Sequence, residues 1–109
     1  MRAEPVEKSK FHARFKMVWK NLNNLSGFCC FKEWQNVRFE IGRNIPGTNN
    51  FAEIFCSRQF LIQEQDFEML PLKTFSLAEL CNNNRDAPIR FSVWTKENKL
   101  INEVQASIN

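Results

Sequence analysis

The sequence predicts an all-β domain, an antiparallel β-sandwich, and three observations support that prediction. The aromatic residues are 11 Phe and 3 Trp with no Tyr, and such side chains suit the pleated surface of a sheet. Several short segments alternate apolar and polar residues with a period of two, as half-buried strands do. Turn-rich loops separate these segments at intervals of about ten residues, which is typical of sandwiches.

Residues 1–10 are predicted to be a flexible lead-in, and residues 11–109 to form the domain. The lead-in has mixed charges, one Pro and no periodicity. "FHARFKMVW", residues 11–19, alternates one apolar face with a mainly basic one and is the clearest strand. "NVRFEIGR" alternates again after a loop, and "NIPGTNN" predicts a turn because Pro and Gly interrupt regular structure.

The second half of the chain continues this pattern. "FAEIFC" is predicted to be a strand, and "RQFLIQ" either extends it or begins another. "LKTFSLAEL" is ambiguous, and the prediction is a strand followed by a short turn; the alternative is a helical turn capped by Ser76. "IRFSVW" and "LINEVQASI" are predicted strands on either side of the polar loop "TKENK".

Composition limits the kind of protein. A chain of 109 residues, 43% hydrophobic and 25% charged, is typical of one globular domain. The net charge of +3 is too small to predict nucleic-acid binding. The four cysteines lack C-x-x-C spacing, and no apolar leader or membrane-spanning run is evident, so we expect free thiols and a cytoplasmic location that allows peripheral attachment to membranes. The cysteines are Cys29, Cys30, Cys56 and Cys81.

Catalysis is not expected, and no catalytic residue is predicted. The one histidine, His12, falls on the outward face of the first predicted strand and has no sequence-level partner for nucleophilic chemistry. The sequence also lacks the G-x-S-x-G, P-loop and H-E-x-x-H motifs.

A family resemblance lies in the segment from Phe75 to Glu103. An apolar strand ends in Leu-Cys-Asn, a polar loop contains Asp, Pro-Ile opens a strand that ends in Val and an aromatic residue, and Leu-Ile precedes Glu. This pattern resembles the second half of a copine C2 domain. "KNLNNL" and "RFEI" resemble parts of its first half, so the likeness runs from about Phe15 to Ile108. The matching residues are Leu80, Cys81, Asn82, Asp86, Pro88, Ile89, Val93, Trp94, Leu100, Ile101 and Glu103.

The resemblance implies a C2-like sandwich with binding loops at one end and Cys81 in the core. A calcium-dependent C2 domain needs several aspartates there, because calcium takes roughly 6 to 8 oxygen ligands. Here neutral residues occupy the corresponding positions, Asn24, Ser26, Gln35, Asn36 and Thr95, and Glu97 is the only retained carboxylate. We therefore expect no metal site and no cofactor, and calcium binding is not predicted.

The loop "NNLSGFCCFKEW" carries a cluster of apolar residues, which is unusual for an exposed loop. The resemblance places it at the tip that C2 domains direct toward lipid or a partner. The predicted contact residues are Phe28, Cys29, Cys30, Phe31, Lys32, Lys96 and Lys99. A basic face is also predicted, formed by Arg14, Lys16 and Lys20 together with Arg38 and Arg90. The alternatives are that the loop folds over the sandwich as a lid, and that the basic side chains are merely solvated.

These observations predict a calcium-independent module that binds anionic phospholipid or targets a membrane. The alternative is a protein-protein interaction domain, or an inactive copine fragment, that uses the apolar loop or an exposed sheet edge. A complete C2 domain needs roughly one more strand after Glu103 than this chain supplies. Either the last strand is missing, or the N-terminal segment replaces it.

Overall fold

The chain forms two antiparallel sheets and one short helix. A computed structural model describes residues 2–19, 35–62, 67–69 and 73–109. The helix, α1, spans Leu77–Cys81. The strands are Arg2–Lys8 (β1), His12–Trp19 (β2), Gln35–Asn44 (β3), Phe51–Cys56 (β4), Phe60–Ile62 (β5), Phe67–Met69 (β6), Phe75–Ser76 (β7), Ile89–Thr95 (β8) and Leu100–Ala106 (β9).

Strand β2 is the centre of the first sheet. Its neighbour on one side is β1, and β7 and β6 pair in succession along its other side. Ala13, Phe15 and Met17 are buried and alternate along one face of β2, which is the period-two pattern that predicted this strand.

Strands β3 and β8 are the centre of the second sheet, whose order is β4-β3-β8-β9, with β5 also paired to β3. Val37, Phe39 and Ile41 on β3 are buried, and the alternate residues of β8 are buried with them. The intervening residues Arg38, Glu40, Arg90 and Trp94 are partly exposed, whereas Ser92 and Gly42 on the same face are buried. The outer face of this sheet is therefore only partly in contact with solvent.

The core lies between the two sheets. The rings of Phe15 on β2 and Phe91 on β8 are tilted against each other with centroids 5.0 Å apart, and both side chains are 1% exposed. Buried residues of α1, Leu77, Leu80 and Cys81, close one part of this core. The all-β prediction is confirmed at the level of two packed antiparallel sheets.

The N-terminal segment corrects one prediction. Residues 1–10 were expected to be a flexible lead-in, but Arg2–Lys8 forms β1 and pairs with β2 through a bulge between Pro5 and Glu7. The segment lacks its own apolar period because it is an edge strand, and β2 supplies its hydrogen-bond partners. Phe11 was expected to face the core, yet it precedes β2 and is 62% exposed.

The segment "LKTFSLAEL" follows the alternative of a capped helical turn more closely than the predicted strand. Its strand is only Phe75–Ser76, and α1 follows directly. The hydroxyl of Ser76 accepts a hydrogen bond from the Glu79 amide (3.2 Å), and the Glu79 carboxylate accepts one from the Ser76 amide (3.3 Å). This reciprocal capping box fixes the start of the helix, and Asn82, with φ 54°, ends it.

The remaining strand predictions are confirmed, with small changes of boundary. Strands β3, β4, β8 and β9 coincide with the alternating segments, and "RQFLIQ" contains a separate strand, β5. Strand β6 was not predicted, because Phe67–Met69 has only three residues and pairs only with the last three residues of β2.

Candidate functional site

The turn between β8 and β9 is the described part of the predicted binding end. The amide of Thr95 donates to the Lys99 carbonyl (2.8 Å), and the amide of Asn98 donates to the Thr95 carbonyl (3.0 Å). Asn98 has φ 64°, a left-handed conformation that Asn tolerates better than most residues. These contacts hold the turn 96–99 in one conformation.

This turn presents two cationic side chains. Lys96 and Lys99 are exposed, and Glu97 between them is exposed as well. The amide of Lys96 donates to the Asn36 carbonyl (3.2 Å). The lysine turn, residues 96–99, therefore lies beside the start of β3.

The apolar tip lies outside the described residues. The predicted contacts Phe28, Cys29, Cys30, Phe31 and Lys32 all fall in residues 20–34, between β2 and β3. That segment joins β3 only one residue before Asn36, and Asn36 contacts Lys96. Of the predicted contact set, the structure thus locates Lys96 and Lys99.

The described part of this end offers few oxygen ligands for a cation. Thr95 is 3% exposed, and its hydroxyl already accepts a hydrogen bond from the Lys99 amide (3.1 Å). Glu97 is the only carboxylate of the lysine turn, and a lysine lies one residue before it and another two residues after it. Calcium requires concentrated negative charge, so these described residues do not resemble a calcium site.

The five residues of the predicted basic face lie on two different sheets or outside the described residues. Arg14 and Lys16 lie on β2 of the first sheet, Arg38 and Arg90 lie on the second sheet, and Lys20 lies outside the described residues. Because the inner faces of the sheets share one core, their outward faces point away from each other. The prediction of one continuous patch is wrong, since alternation fixes a residue's face within its strand but does not fix the sheet to which the strand belongs.

Two cations of the first sheet, Arg2 and Lys16, contact the same carboxylate, that of Glu4. The ammonium of Lys16 is 3.6 Å from the Glu4 carboxylate. Glu4 also contacts Arg2, and the hydrogen bond from Arg2 is the main reason that the pKa of Glu4 is lowered. This part of the surface therefore carries paired charges rather than an uncompensated basic stripe.

Arg38 connects the outer face of the second sheet to the lysine turn. Its Nε donates to the Glu40 carboxylate (2.9 Å), and its Nη1 donates to the Thr95 carbonyl (3.0 Å). Its guanidinium lies over the indole of Trp94, 5.8 Å from the ring centroid. These three contacts make Arg38 a structural residue that fixes the base of the turn.

Arg90 lies in a second cation-aromatic contact on the same face. Its guanidinium is 5.3 Å from the ring centroid of Phe51, and its Nε is 4.0 Å from the Glu103 carboxylate. Gly42 lies between Arg90 and Phe51, and a Cβ added there would approach the Phe51 Cβ to 3.0 Å. Sequence reasoning missed this arrangement, although a glycine inside a strand signals a close approach of neighbours.

An acidic cluster lies near the edge of the second sheet. Glu40, Glu53 and Cys56 bring one potential ligand atom each within 4.8 Å of one another. Burial, followed by the charges of Glu53 and Glu40, raises the pKa of the Cys56 thiol, which disfavours the thiolate that binds metals. Glu40 is also engaged by Arg38. We assign no metal to this cluster.

The end of the molecule opposite the lysine turn contains a cavity of about 420 Å³ between the β3-β4 turn and residues 82–88. Two of the polar side chains on its wall are already engaged in hydrogen bonds. The Asn44 amide donates to the Thr48 carbonyl (3.0 Å), and the Asp86 carboxylate accepts from the Asn109 amide (2.8 Å). The cavity is thus a gap between two internally bonded loops.

Two single residues lie as predicted. His12 is exposed. Cys81 is 2% exposed and its thiol contacts the Leu77 carbonyl (3.3 Å), and burial raises the pKa of this thiol. The position of Cys81 confirms that it is a small core residue.

Comparison with protein-family models, with curated proteins and with solved structures finds no match for this chain. The resemblance to copine C2 domains therefore stays a prediction from the sequence. Within the described residues, no helix is long and apolar enough to cross a bilayer.

Proposed function

We propose that this protein is a non-catalytic, C2-like module that binds anionic phospholipid surfaces without calcium. The observation that carries the proposal is the lysine turn, a well-bonded hairpin turn that contains two exposed lysines and lies beside the start of β3. The sequence adds the apolar tip Phe28 to Phe31 immediately upstream of β3. Cationic and apolar groups on one loop end are the combination that attaches a protein peripherally to a membrane.

The proposed mechanism requires no metal bridge. Each basic residue near an anionic surface contributes about 1 kcal/mol and loses that contribution within a Debye length in salt. Lys96 and Lys99 would draw the loop end to the surface, and the tip would contribute by burial of its Phe side chains. Affinity should therefore depend on anionic lipid and on ionic strength, and should be unchanged by calcium.

Vesicle co-sedimentation tests the proposal. We expect binding to vesicles that contain phosphatidylserine, no binding to pure phosphatidylcholine, loss of binding at high salt, and equal binding in calcium and in chelator. Changing Lys96 and Lys99 to Glu should weaken binding at least about thirtyfold, because even the loss of the two attractive charges removes about 2 kcal/mol.

The matched control carries the same charge change elsewhere. Lys10 lies between β1 and β2, Lys73 precedes β7, and both are exposed. The double substitution Lys10→Glu with Lys73→Glu should leave most of the binding intact. Equal losses in the two double variants would show that only net charge matters. Binding that requires calcium would contradict the proposed mechanism.

A second candidate function is a protein-protein interaction domain. It is favoured by the free side of β9, with which no strand in the described part of the chain pairs. The vesicle experiment distinguishes the two candidate functions. An interaction domain would not bind vesicles of any composition, and it would bind a protein partner in a pull-down.

A further inference from the structure

The outer edge of β9 differs from the edges formed by β1 and β4. Strand β1 contains Pro5 and a bulge beside it, and β4 is interrupted by a bulge opposite Ile41 and Gly42. Proteins use prolines and bulges to prevent an edge from pairing with another chain. In β9 the register with β8 shifts only near Leu100, and Asn102–Ala106 is regular.

The regular part of β9 has little charge to repel another strand. It contains no Lys, Arg or Pro, and its one charged residue is Glu103. Glu103 and Gln105 are exposed, whereas Val104 between them is half-buried and packs against the core. Strand β1 of the first sheet lies near β9, and beyond the end of β9 the Lys8 ammonium donates to the Ile108 carbonyl (3.2 Å).

The order of residues makes β9 complementary to itself in one antiparallel register. With Val104 on the two-fold axis, Glu103 pairs with Gln105 of the partner subunit, and Asn102 pairs with Ala106 of the partner subunit. A register centred on Glu103 would instead oppose two carboxylates, which is destabilising. Residues that pair across two strands must lie on the same face of the sheet. In the Val104 register Glu103 pairs with position 105 of the partner subunit, and positions 103 and 105 share a face because they are two residues apart.

We propose that a second copy of this chain adds to the outer edge of β9 and forms a two-fold symmetric dimer. The two four-strand paths β4-β3-β8-β9 then join into one continuous sheet. The ladder is short, and its buried area lies below the roughly 1,200 Å² of standard stable interfaces, so the dimer should be weak and concentration-dependent. This inference names the partner for the second candidate function and does not depend on lipid binding.

Sedimentation equilibrium without lipid tests the proposal over a range of protein concentrations. We expect a reversible monomer-dimer equilibrium in the unmodified chain. Gln105→Lys places an ammonium opposite Glu103 of the partner subunit twice per dimer, and Gln105→Glu places a carboxylate there. The dimer dissociation constant should fall for Gln105→Lys and rise for Gln105→Glu, by about 2- to 30-fold in each case.

Thermal melting measures effects on the monomer separately. Gln105 pairs with Arg90 of its own β8 and lies two residues from Glu103 on the same face of β9, so a charge at position 105 has one cation and one anion of its own chain as neighbours. The melting temperatures of Gln105→Glu and Gln105→Lys should therefore differ little, although their dimer dissociation constants differ. In a Glu103→Gln background the difference between the two dissociation constants should disappear.

Two results would overturn the proposal. One is a chain that stays monomeric at every concentration, which would show that β9 does not pair with a second copy of this chain. The other is a dimer whose dissociation constant is the same for both Gln105 variants, which would place the contact elsewhere. Slower amide exchange of Asn102–Ala106 at high protein concentration would give direct support, and exchange that does not depend on concentration would count against it.

Discussion

A double-mutant cycle on Phe15 and Phe91 tests the packing of one sheet on the other. Both rings are 1% exposed and their centroids are 5.0 Å apart. Truncation to Ala would cost about 3 to 5 kcal/mol, which is a large part of the total stability of a domain. The substitutions Phe15→Leu and Phe91→Leu keep most of the apolar volume, and we expect each to lower the free energy of unfolding by about 1 to 2 kcal/mol.

The coupling free energy between Phe15 and Phe91 shows whether the two rings are in contact. Aromatic pairs contribute about 0.5 to 1.5 kcal/mol beyond their buried area, and each single substitution removes this contribution in full. The double variant can lose it only once, so it should be less destabilised than the sum of the single variants by that amount. Urea unfolding followed by far-ultraviolet circular dichroism gives the four free energies.

Phe11→Leu is the matched control, because Phe11 has the same side chain but is 62% exposed. This change should alter stability by less than about 0.5 kcal/mol. If it costs as much as Phe15→Leu, the described position of Phe11 is wrong. If Phe15→Leu and Phe91→Leu are additive within about 0.3 kcal/mol, the rings do not touch and the arrangement of the sheets must be revised.

Three further predictions concern local features. Ser76→Ala should cost about 0.5 to 2 kcal/mol by removing the helix cap, whereas Ser76→Asp, which retains a capping oxygen, should cost much less in the same urea assay. Asn98→Ala should cost about 1 to 2 kcal/mol because φ is 64°, whereas thermal melting of Asn98→Gly should remain near that of the unmodified chain. Burial raises the pKa of the Cys81 thiol, so its contribution to stability is full below the ordinary thiol pKa of about 8.5 and is lost as the pH rises through the folded value. Urea midpoints above about pH 9 should therefore fall more steeply in the unmodified chain than in Cys81→Ala, and parallel slopes would contradict this account.

The sequence predicted the central strands because burial there imposes a period of two. Strand β2 and strand β8 each bury alternate residues, and alternation of that kind is visible without a structure. Strand β1 has no such pattern, since an edge strand depends on the hydrogen bonds of its neighbour. Helix α1 was signalled by Ser76 as a possible cap, but the apolar residues of this segment favoured a longer strand.

The site was predictable only in part. The lysine turn follows from "TKENK" between two alternating segments, and the structure places it as a hairpin turn. The prediction of one basic face was wrong because the sequence does not show which strands share a sheet. The contacts of Arg38 with Thr95 and Trp94 join residues distant in sequence, and the alternation of single strands does not predict contacts between strands.

The two proposals together predict a geometry for membrane contact. The lysine turn directly precedes β9, so antiparallel pairing of two β9 strands places the two turns at opposite ends of the joined sheet. From Leu100 to Val104 a strand rises about 14 Å, so the turns lie roughly 25 to 30 Å apart along the strands and face opposite directions. One flat bilayer cannot engage both turns, but two apposed bilayers can. The dimer should therefore cluster anionic vesicles, measured as turbidity, at concentrations where the monomer only binds them. Gln105→Glu should reduce clustering and retain sedimentation with vesicles. Clustering that is unchanged in this variant would show that it does not require pairing at the β9 edge.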